Sequence, residues 1–301
     1  MPDELVIAVA SGKGGTGKTT IATNLAQVVC GSGQKVQYLD CDVEEPNGHI
    51  FLKPQISGSR DVTIDVPQVD LEKCTACGKC GEICQYSAII CIKEHVLTFK
   101  QLCHSCGGCR RVCPADAITA KPLKVGDIEI GKAGDVDFVS GKLCIGHVRT
   151  PSVIKEVKKC IKEGHLAIVD VPPGTSCPVV EAVKGTDFVL LVTEPTPFGL
   201  NDLKLAVGLV REMGLPFAVV INRYGIGNNE VEKYCEAENI EIVLKLRDDR
   251  RIAEACSSGK MMVDELPEYK SHFSGVYEYL DRAKARLDGE RRLRIRGKNN
   301  S

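Results

Sequence analysis

Residues 12–20, Gly-Lys-Gly-Gly-Thr-Gly-Lys-Thr-Thr, follow the apolar run 5–10, Leu-Val-Ile-Ala-Val-Ala, and lead into a helical stretch from Thr19 to Val29. An apolar run without alternation reads as a strand buried on both faces, the environment of a parallel sheet covered on both sides. Strand, glycine-rich turn and helix in that order satisfy G-x-x-x-x-G-K-[ST] in the context that gives the pattern meaning. Glycines let backbone N–H groups approach phosphate oxygens, and the helix N-terminus adds partial positive charge. Gly12, Gly14, Gly15, Thr16, Gly17, Lys18, Thr19 and Thr20 are therefore the candidate phosphate cradle. Lys18 is placed to meet β- and γ-phosphates, and the Thr19 hydroxyl to ligate Mg²⁺.

Further apolar runs recur at Val36–Leu39, Leu166–Val169, Phe188–Val192 and Phe217–Ile221, with helical segments at Pro151–Glu163, Asn201–Met213 and Glu230–Glu238. Strands alternating with helices predict an α/β fold, a doubly wound parallel sheet. The alternation breaks between about Ile56 and Val125, where the chain turns cysteine-rich, with short strands near Asp65–Val69, Val96–Phe99 and Ala117–Lys121. The expected organisation is a discontinuous domain over 1–55 and 126–285, an inserted domain over 56–125, and a basic tail over 286–301. Arg291, Arg292, Arg294, Arg296 and Lys298 give that tail its charge, and a solvated end is expected over a binding arm.

Sixteen cysteines in 301 residues decide the compartment. A chain this long does not need disulfide staples, and its start, Met-Pro-Asp-Glu, lacks the basic and apolar regions of a signal peptide. No apolar run approaches the roughly 20 residues that span a bilayer. A cytoplasmic protein whose cysteines bind metal is expected. Eight of them form two strings of one spacing, Cys74-x2-Cys77-x2-Cys80-x3-Cys84 and Cys103-x2-Cys106-x2-Cys109-x3-Cys113-Pro114. Structural zinc and free thiols are the alternatives, but zinc sites favour separated pairs. The strings resemble those of bacterial two-cluster ferredoxins, in which the fourth cysteine of each run ligates the other cluster. The resemblance implies one [4Fe–4S] cluster on Cys74, Cys77, Cys80 and Cys113 and a second on Cys103, Cys106, Cys109 and Cys84. It also implies a ferredoxin-like (α+β) insert, with short paired helices at Ser87–Ile89 and Ala115–Ile118. Gln85 stands where that pattern usually has proline.

The loop K-G-G-x-G-K-T-T, with its early lysine Lys13, resembles the deviant phosphate-binding loop of the MinD/ParA/Mrp ATPases, which include the nitrogenase iron protein. The resemblance extends to Asp40-Cys41-Asp42 after the second strand, Asp170-Val171-Pro172-Pro173-Gly174 after another, and Ile221-Asn222-Arg223 at a third, covering about residues 4–55 and 126–285. It implies a Mg²⁺-dependent ATPase that works as a nucleotide-sandwich dimer, homodimer or heterodimer with a related ATPase. Lys13 would reach the phosphates of the opposite subunit, Asp42 would orient the attacking water, and Asp40 would support the Mg²⁺ shell. Asp170 would act in the second switch, and Asn222 with Arg223 would lie at the adenine base. On the residues alone, strand-terminal carboxylates and an Asn also suit turns and helix caps.

Cys177, just after the second switch segment, lies at the distance of a nitrogenase iron protein ligand, and Cys144 precedes the helix at Pro151. The pair is a candidate for a further cluster shared between subunits, with two structural cysteines as the alternative. The expected function is an ATP-driven dimer switch coupled to electron transfer or cluster handling for a redox or metal-cofactor partner. An ATP-regulated cluster scaffold or carrier is the alternative, and a MinD/ParA-like spatial organiser a weaker one. A net charge of −1 gives no ground for nucleic-acid or membrane binding.

Overall fold

A computed structural model describes residues 5–298. The strands are β1 (Leu5–Ala10), β2 (Val36–Asp40), β3 (Gln55–Val69), β4 (Ile89–Ile92), β5 (His95–Thr98), β6 (Ile118–Ala133), β7 (Val136–Leu143), β8 (Leu166–Asp170), β9 (Phe188–Thr193), β10 (Phe217–Tyr224) and β11 (Ile242–Arg247). The helices are α1 (Lys18–Gly31), α2 (Gly48–Leu52), α3 (Lys79–Glu82), α4 (Gly108–Arg111), α5 (Thr150–Lys158), α6 (Cys177–Val183), α7 (Pro197–Glu212), α8 (Glu230–Ala237), α9 (Arg250–Ser257), α10 (Met262–Glu265) and α11 (Lys270–Lys298).

Nine strands form one sheet in the order β11-β10-β9-β1-β8-β2-β7-β6-β3. From β11 to β7 every pairing is parallel, as the unbroken apolar runs require. Successive residues of β1 feed opposite cores. Ile7 joins Leu25, Tyr38, Phe138, Ile168 and Phe273 on the face covered by α1 and α11. Ala8 joins Leu39, Ile154, Val169, Val207 and Ile221 on the face covered by α5, α6 and α7.

The edge of the sheet differs from expectation. β6 runs antiparallel to both β7 and β3, so the sheet is mixed there. The two long strands β3 and β6 begin in the sheet beside β7 and continue out of it, pairing from Gln55 with Lys132 to Val69 with Ile118. The cysteine strings lie between their far ends, with the hairpin β4–β5. The expected boundaries at 56 and 125 thus fall inside continuous strands. β7 and β11 were not legible as strands: β7 interrupts its apolar residues with Asp137, Ser140 and Lys142, and β11 with Lys245.

The short helices of the cysteine segment are also displaced from expectation. They occupy 79–82 and 108–111, inside the strings, while Ser87 and Asp116 adopt left-handed φ of 51° and 48° and Ile89 and Ile118 open strands. An x3 spacing puts the third and fourth cysteines one helical turn apart, so the helical turn falls there. The stretch expected as a basic tail continues α11 as helical backbone to Lys298, and 299–301 lie outside the described residues. Among the described residues no helix is long and apolar enough to cross a membrane.

Candidate functional site

Strand register puts the chemistry at one end of the sheet. β2 and β8 pair Asp40 with Asp170, and β1 and β8 pair Val9 with Asp170. Both carboxylates therefore stand at the carboxyl ends of parallel strands, beside the turn leaving β1. Gly17, at φ 89°, ends that turn and caps α1. A Cβ on Gly17 would meet the Asn222 side chain at 2.4 Å, and one on Gly12 would meet the Asp202 carbonyl oxygen at 2.2 Å. The loop is held closely from both sides, and only glycine fits these two positions.

A cleft of about 540 Å³ opens over this turn, lined by Gly14, Gly15, Gly17, Lys18, Thr19 and Thr20 together with Asp42, Asn222 and Arg223. Arg247, Asp248, Asp249 and Ile252 complete its far wall. Lys18 is buried, and burial pulls its pKa down against the attraction of Asp170 and Asp42. Burial pushes Asp42 up to about 6, helped by Asp170 and opposed by Lys18. Asp40 accepts from the Asp42 and Gly48 N–H groups at 3.2 and 2.9 Å, and burial beside Asp170 raises it well above the carboxylate range. The Tyr38 hydroxyl donates to Asp170 Oδ2 at 2.8 Å. Burial raises Asp170 too, against the Thr19 and Tyr38 hydroxyls and Lys18. Its Oδ1, like Thr16 Oγ1, is buried with no hydrogen-bond partner of good geometry among the described residues. Three mutually repelling carboxyls around one buried lysine fit a site that receives cationic charge together with phosphate.

Two expected contacts are engaged within the chain. Asn222 Nδ2 donates to the Thr16 carbonyl at 2.8 Å, and its Oδ1 accepts from the Arg223 N–H. The amide thus ties β10 to the phosphate loop. Lys13 points out of the cleft to Glu194, Nζ to Oε2 at 3.3 Å, and Arg223 reaches the other Glu194 oxygen at 3.1 Å.

The cysteine strings fold into two cavities. One is lined by Cys74, Cys77, Cys80 and Cys113, the other by Cys84, Cys103, Cys106 and Cys109. Each cavity takes three cysteines from one string and the last of the other. Backbone N–H groups aim at the sulfurs: Ala88 at Cys84, Ser105 at Cys103 and Ala117 at Cys113, at 3.3, 3.4 and 3.3 Å. Burial opposes ionisation of Cys84, yet N–H groups of Tyr86, Ile89, Ala88 and Ser87 bring its pKa below the ordinary value. Among the described residues no three His, Cys, Asp or Glu side chains converge as a single metal ion requires. A cuboidal cluster takes one thiolate per iron corner, so its four sulfurs stay apart, and N–H···S bonds stabilise them as thiolates. Cys80 and Cys103 are buried, while Cys77 and Cys106 are exposed at the mouths.

Residues 7–263 match the family described as the CobQ/CobB/MinD/ParA nucleotide-binding domain. The chain belongs to this family. Uncharacterized protein MJ0579 of Methanocaldococcus jannaschii is 32% identical over 275 residues, covering 84% of this chain and 97% of that one. An iron-sulfur cluster carrier protein of Pyrococcus horikoshii is 26% identical over 273 residues, covering 84% and 77%. Among solved structures, the septum site-determining protein MinD of Pyrococcus horikoshii, complexed with Mg-ADP, superposes with a TM-score of 0.59 at 22% identity, over 93% of this chain and 97% of that one. That likeness establishes the α/β sheet.

Within this member of the family, Cys144 follows β7 and Cys177 opens α6, the first half-buried and the second exposed. Each stands on its own element, with no third ligand gathered to them among the described residues. Several residues of the site went unread in the sequence. Glu194 carried the same signal as Asp170, a carboxylate ending an apolar strand. Tyr38 sits inside β2, and wall residue Arg247 ends a strand that was missed, with 248–252 following it, so none stood out.

Proposed function

We propose that this chain is an ATP-binding iron–sulfur protein that holds two [4Fe–4S] clusters and hands on clusters under nucleotide control. The observation that carries the reading is the partition of eight cysteines into two crossed sets of four, lining separate cavities on arms that grow from the nucleotide-binding sheet. The similarity to iron-sulfur cluster carrier proteins supports cluster handling over the electron transfer that the sequence puts first. Exposed Cys77 and Cys106 suit it physically, because an acceptor thiolate can reach a cluster edge there.

At the nucleotide, the phosphate loop would grip the triphosphate, Lys18 would neutralise its inner charge, and Thr19 with Asp40 and Asp170 would hold the Mg²⁺ shell. Mg²⁺ held there would supply positive charge against the phosphates. Asp42, at the cleft wall, positions the attacking water. Lys13 supplies its charge to a second subunit, homologous or identical. Asn222 fixes the loop in which these groups are set. Arg223 lines the same cleft at the base side. Electron transfer is the second reading, favoured by the N–H···S bonds that hold Cys84, Cys103 and Cys113 in place. Cys144 and Cys177 remain proposed ligands of a shared cluster, completed by a second subunit's pair.

The test is anaerobic reconstitution with iron and sulfide, followed by mixing with an iron-free acceptor protein, with and without Mg-ATP. The expected result is two [4Fe–4S] signals per chain and transfer whose rate depends on ATP. A chain that stays colourless, or that binds no adenine nucleotide, overturns the proposal. Clusters that stay in place while cycling between redox states turn the reading to electron transfer.

A further inference from the structure

The nucleotide cleft and the second cysteine cavity meet at one corner of the fold, the loop leaving β7. Leu143 N–H donates to the Val43 carbonyl at 2.8 Å, one residue beyond Asp42. The Thr150 hydroxyl donates to Glu44 Oε1 at 2.6 Å, two residues beyond Asp42. The neighbouring Arg149 is buried and extends the other way, its Nη2 donating to the carbonyl of Cys103. Asp42 lines the nucleotide cleft and Cys103 lines the cysteine cavity, so Glu44, Thr150 and Arg149 form a continuous polar bridge between them.

The corner is also incompletely satisfied. Arg149 Nε and His147 Nδ1 are buried with no hydrogen-bond partner among the described residues. Burying a donor without a partner is unfavourable, so a rearrangement that pairs it is favoured. Arg149 sits at the N-cap of α5 without a side-chain cap bond, and α5 packs against α6, the helix that follows Asp170. Both segments that flank the triphosphate therefore lean on the element that holds Arg149.

We propose that Glu44, Thr150 and Arg149 are positioning residues through which nucleotide binding reshapes the cysteine cavity at Cys103. The inference rests on the proposed function and adds the route within it. Binding of ATP with Mg²⁺ would bring cationic charge into the cleft and reposition Asp42 there. Val43 and Glu44 move with it, Thr150 loses or shifts its acceptor, and Arg149 changes its grip on the Cys103 carbonyl. The cavity of Cys84, Cys103, Cys106 and Cys109 responds, while that of Cys74, Cys77, Cys80 and Cys113, which lacks this bridge, does not. Coupling of this kind is reciprocal, so cluster loading must change nucleotide affinity by the same factor.

The experiment uses the full chain, with amide hydrogen exchange of 103–106 as a readout that needs no iron. In the iron-free wild type, a non-hydrolysable ATP analogue with Mg²⁺ should change exchange there by about 5-fold or more, and leave 74–77 unchanged. Glu44→Ala, at an exposed position, and Arg149→Gln should keep nucleotide binding and bring the change below about 2-fold. Calorimetry on iron-loaded and iron-free wild type should give analogue affinities differing by about 5-fold or more, and equal affinities in Glu44→Ala. Exchange at 103–106 that ignores nucleotide in the wild type overturns the bridge, as does a Glu44→Ala chain that responds like the wild type. A chain that binds no nucleotide or takes up no iron loses the proposed function and this inference together. One that does both without the response loses only the inference.

Discussion

At the scale of single residues, the nucleotide site is a set of charges held in tension until ligand arrives. Asp42 shows the consequence for stability. Its folded pKa of about 6 lies above the ordinary 3.8, because burial and Asp170 disfavour its charge. Between those values the folded chain binds more protons than the unfolded one, so this group's contribution to stability falls as pH rises through the window. Asp42→Asn removes that loss. In nucleotide-free protein it should gain about 1–2 kcal/mol over wild type at pH 8, after allowing for solvent screening of a partly exposed side chain, and little at pH 4. Urea unfolding at the two pH values measures the difference, and equal gains at both would contradict the electrostatic account. The same substitution should abolish hydrolysis while preserving nucleotide binding. Gly12 makes the opposite case, that of pure shape. Its missing Cβ is the space the Asp202 backbone occupies, 2.2 Å away, so Gly12→Ala must push α7 and the loop apart. A loss of about 1–3 kcal/mol is expected, with nucleotide affinity falling alongside. Thermal unfolding that matches wild type would show that the loop absorbs the methyl freely.

At the scale of elements, the two cysteine strings are interlocked, and that has a sharp mutational signature. Cys84 belongs by sequence to the first string but lines the cavity of the second, and Cys113 does the reverse. Cys84→Ser should therefore remove or alter the cluster of Cys103, Cys106 and Cys109 and spare that of Cys74, Cys77 and Cys80. Electron paramagnetic resonance of the reduced variant should retain one of two signals, and Cys113→Ser should retain the other. If Cys84→Ser damages the cluster of its own string instead, the crossed assignment is wrong. The two strings themselves were legible beforehand, because their spacing is local, while the crossing of their fourth cysteines was expected only from the resemblance to two-cluster ferredoxins. The parallel strands were legible for a similar reason, as each is an unbroken apolar run whose burial on both faces leaves one solution. What escaped is what depends on distant partners. β7 carries Asp137 because its carboxylate meets Lys132, Lys162 and His165, contacts that no local pattern announces. The short helices fell within the strings and not after them, because left-handed residues at Ser87 and Asp116 stop the helical path there. The insert has no clean boundary because β3 and β6 serve two purposes, closing the sheet at one end and carrying the cysteines at the other.

At the scale of the whole molecule, the proposed dimer raises the question of what would keep single chains from pairing before ATP arrives, and Glu194 offers an answer. Lys13 is the group whose proposed role lies in another subunit, yet here its charge is taken by Glu194 of its own chain. Glu194 is 6% exposed at the end of β9 and is shared with Arg223, which sits in a left-handed backbone conformation at φ 51°. Lys13 must leave this contact to serve a partner, and Glu194 then keeps Arg223, so release does not strand a buried charge. The contact is therefore expected to act as a modest restraint on the proposed dimerisation. Each pair is partly exposed on the lysine side and is worth about 1 kcal/mol. Two are broken per dimer, so Glu194→Gln should lower the dissociation constant of the ATP-bound dimer roughly 30-fold. Lys13→Ala should leave nucleotide binding intact and give no dimer at all. Sedimentation velocity with a non-hydrolysable analogue separates the cases. A Glu194→Gln chain that dimerises no more tightly than wild type would show that the pair imposes no restraint. A Lys13→Ala chain that dimerises normally would move the subunit contact elsewhere on the molecule.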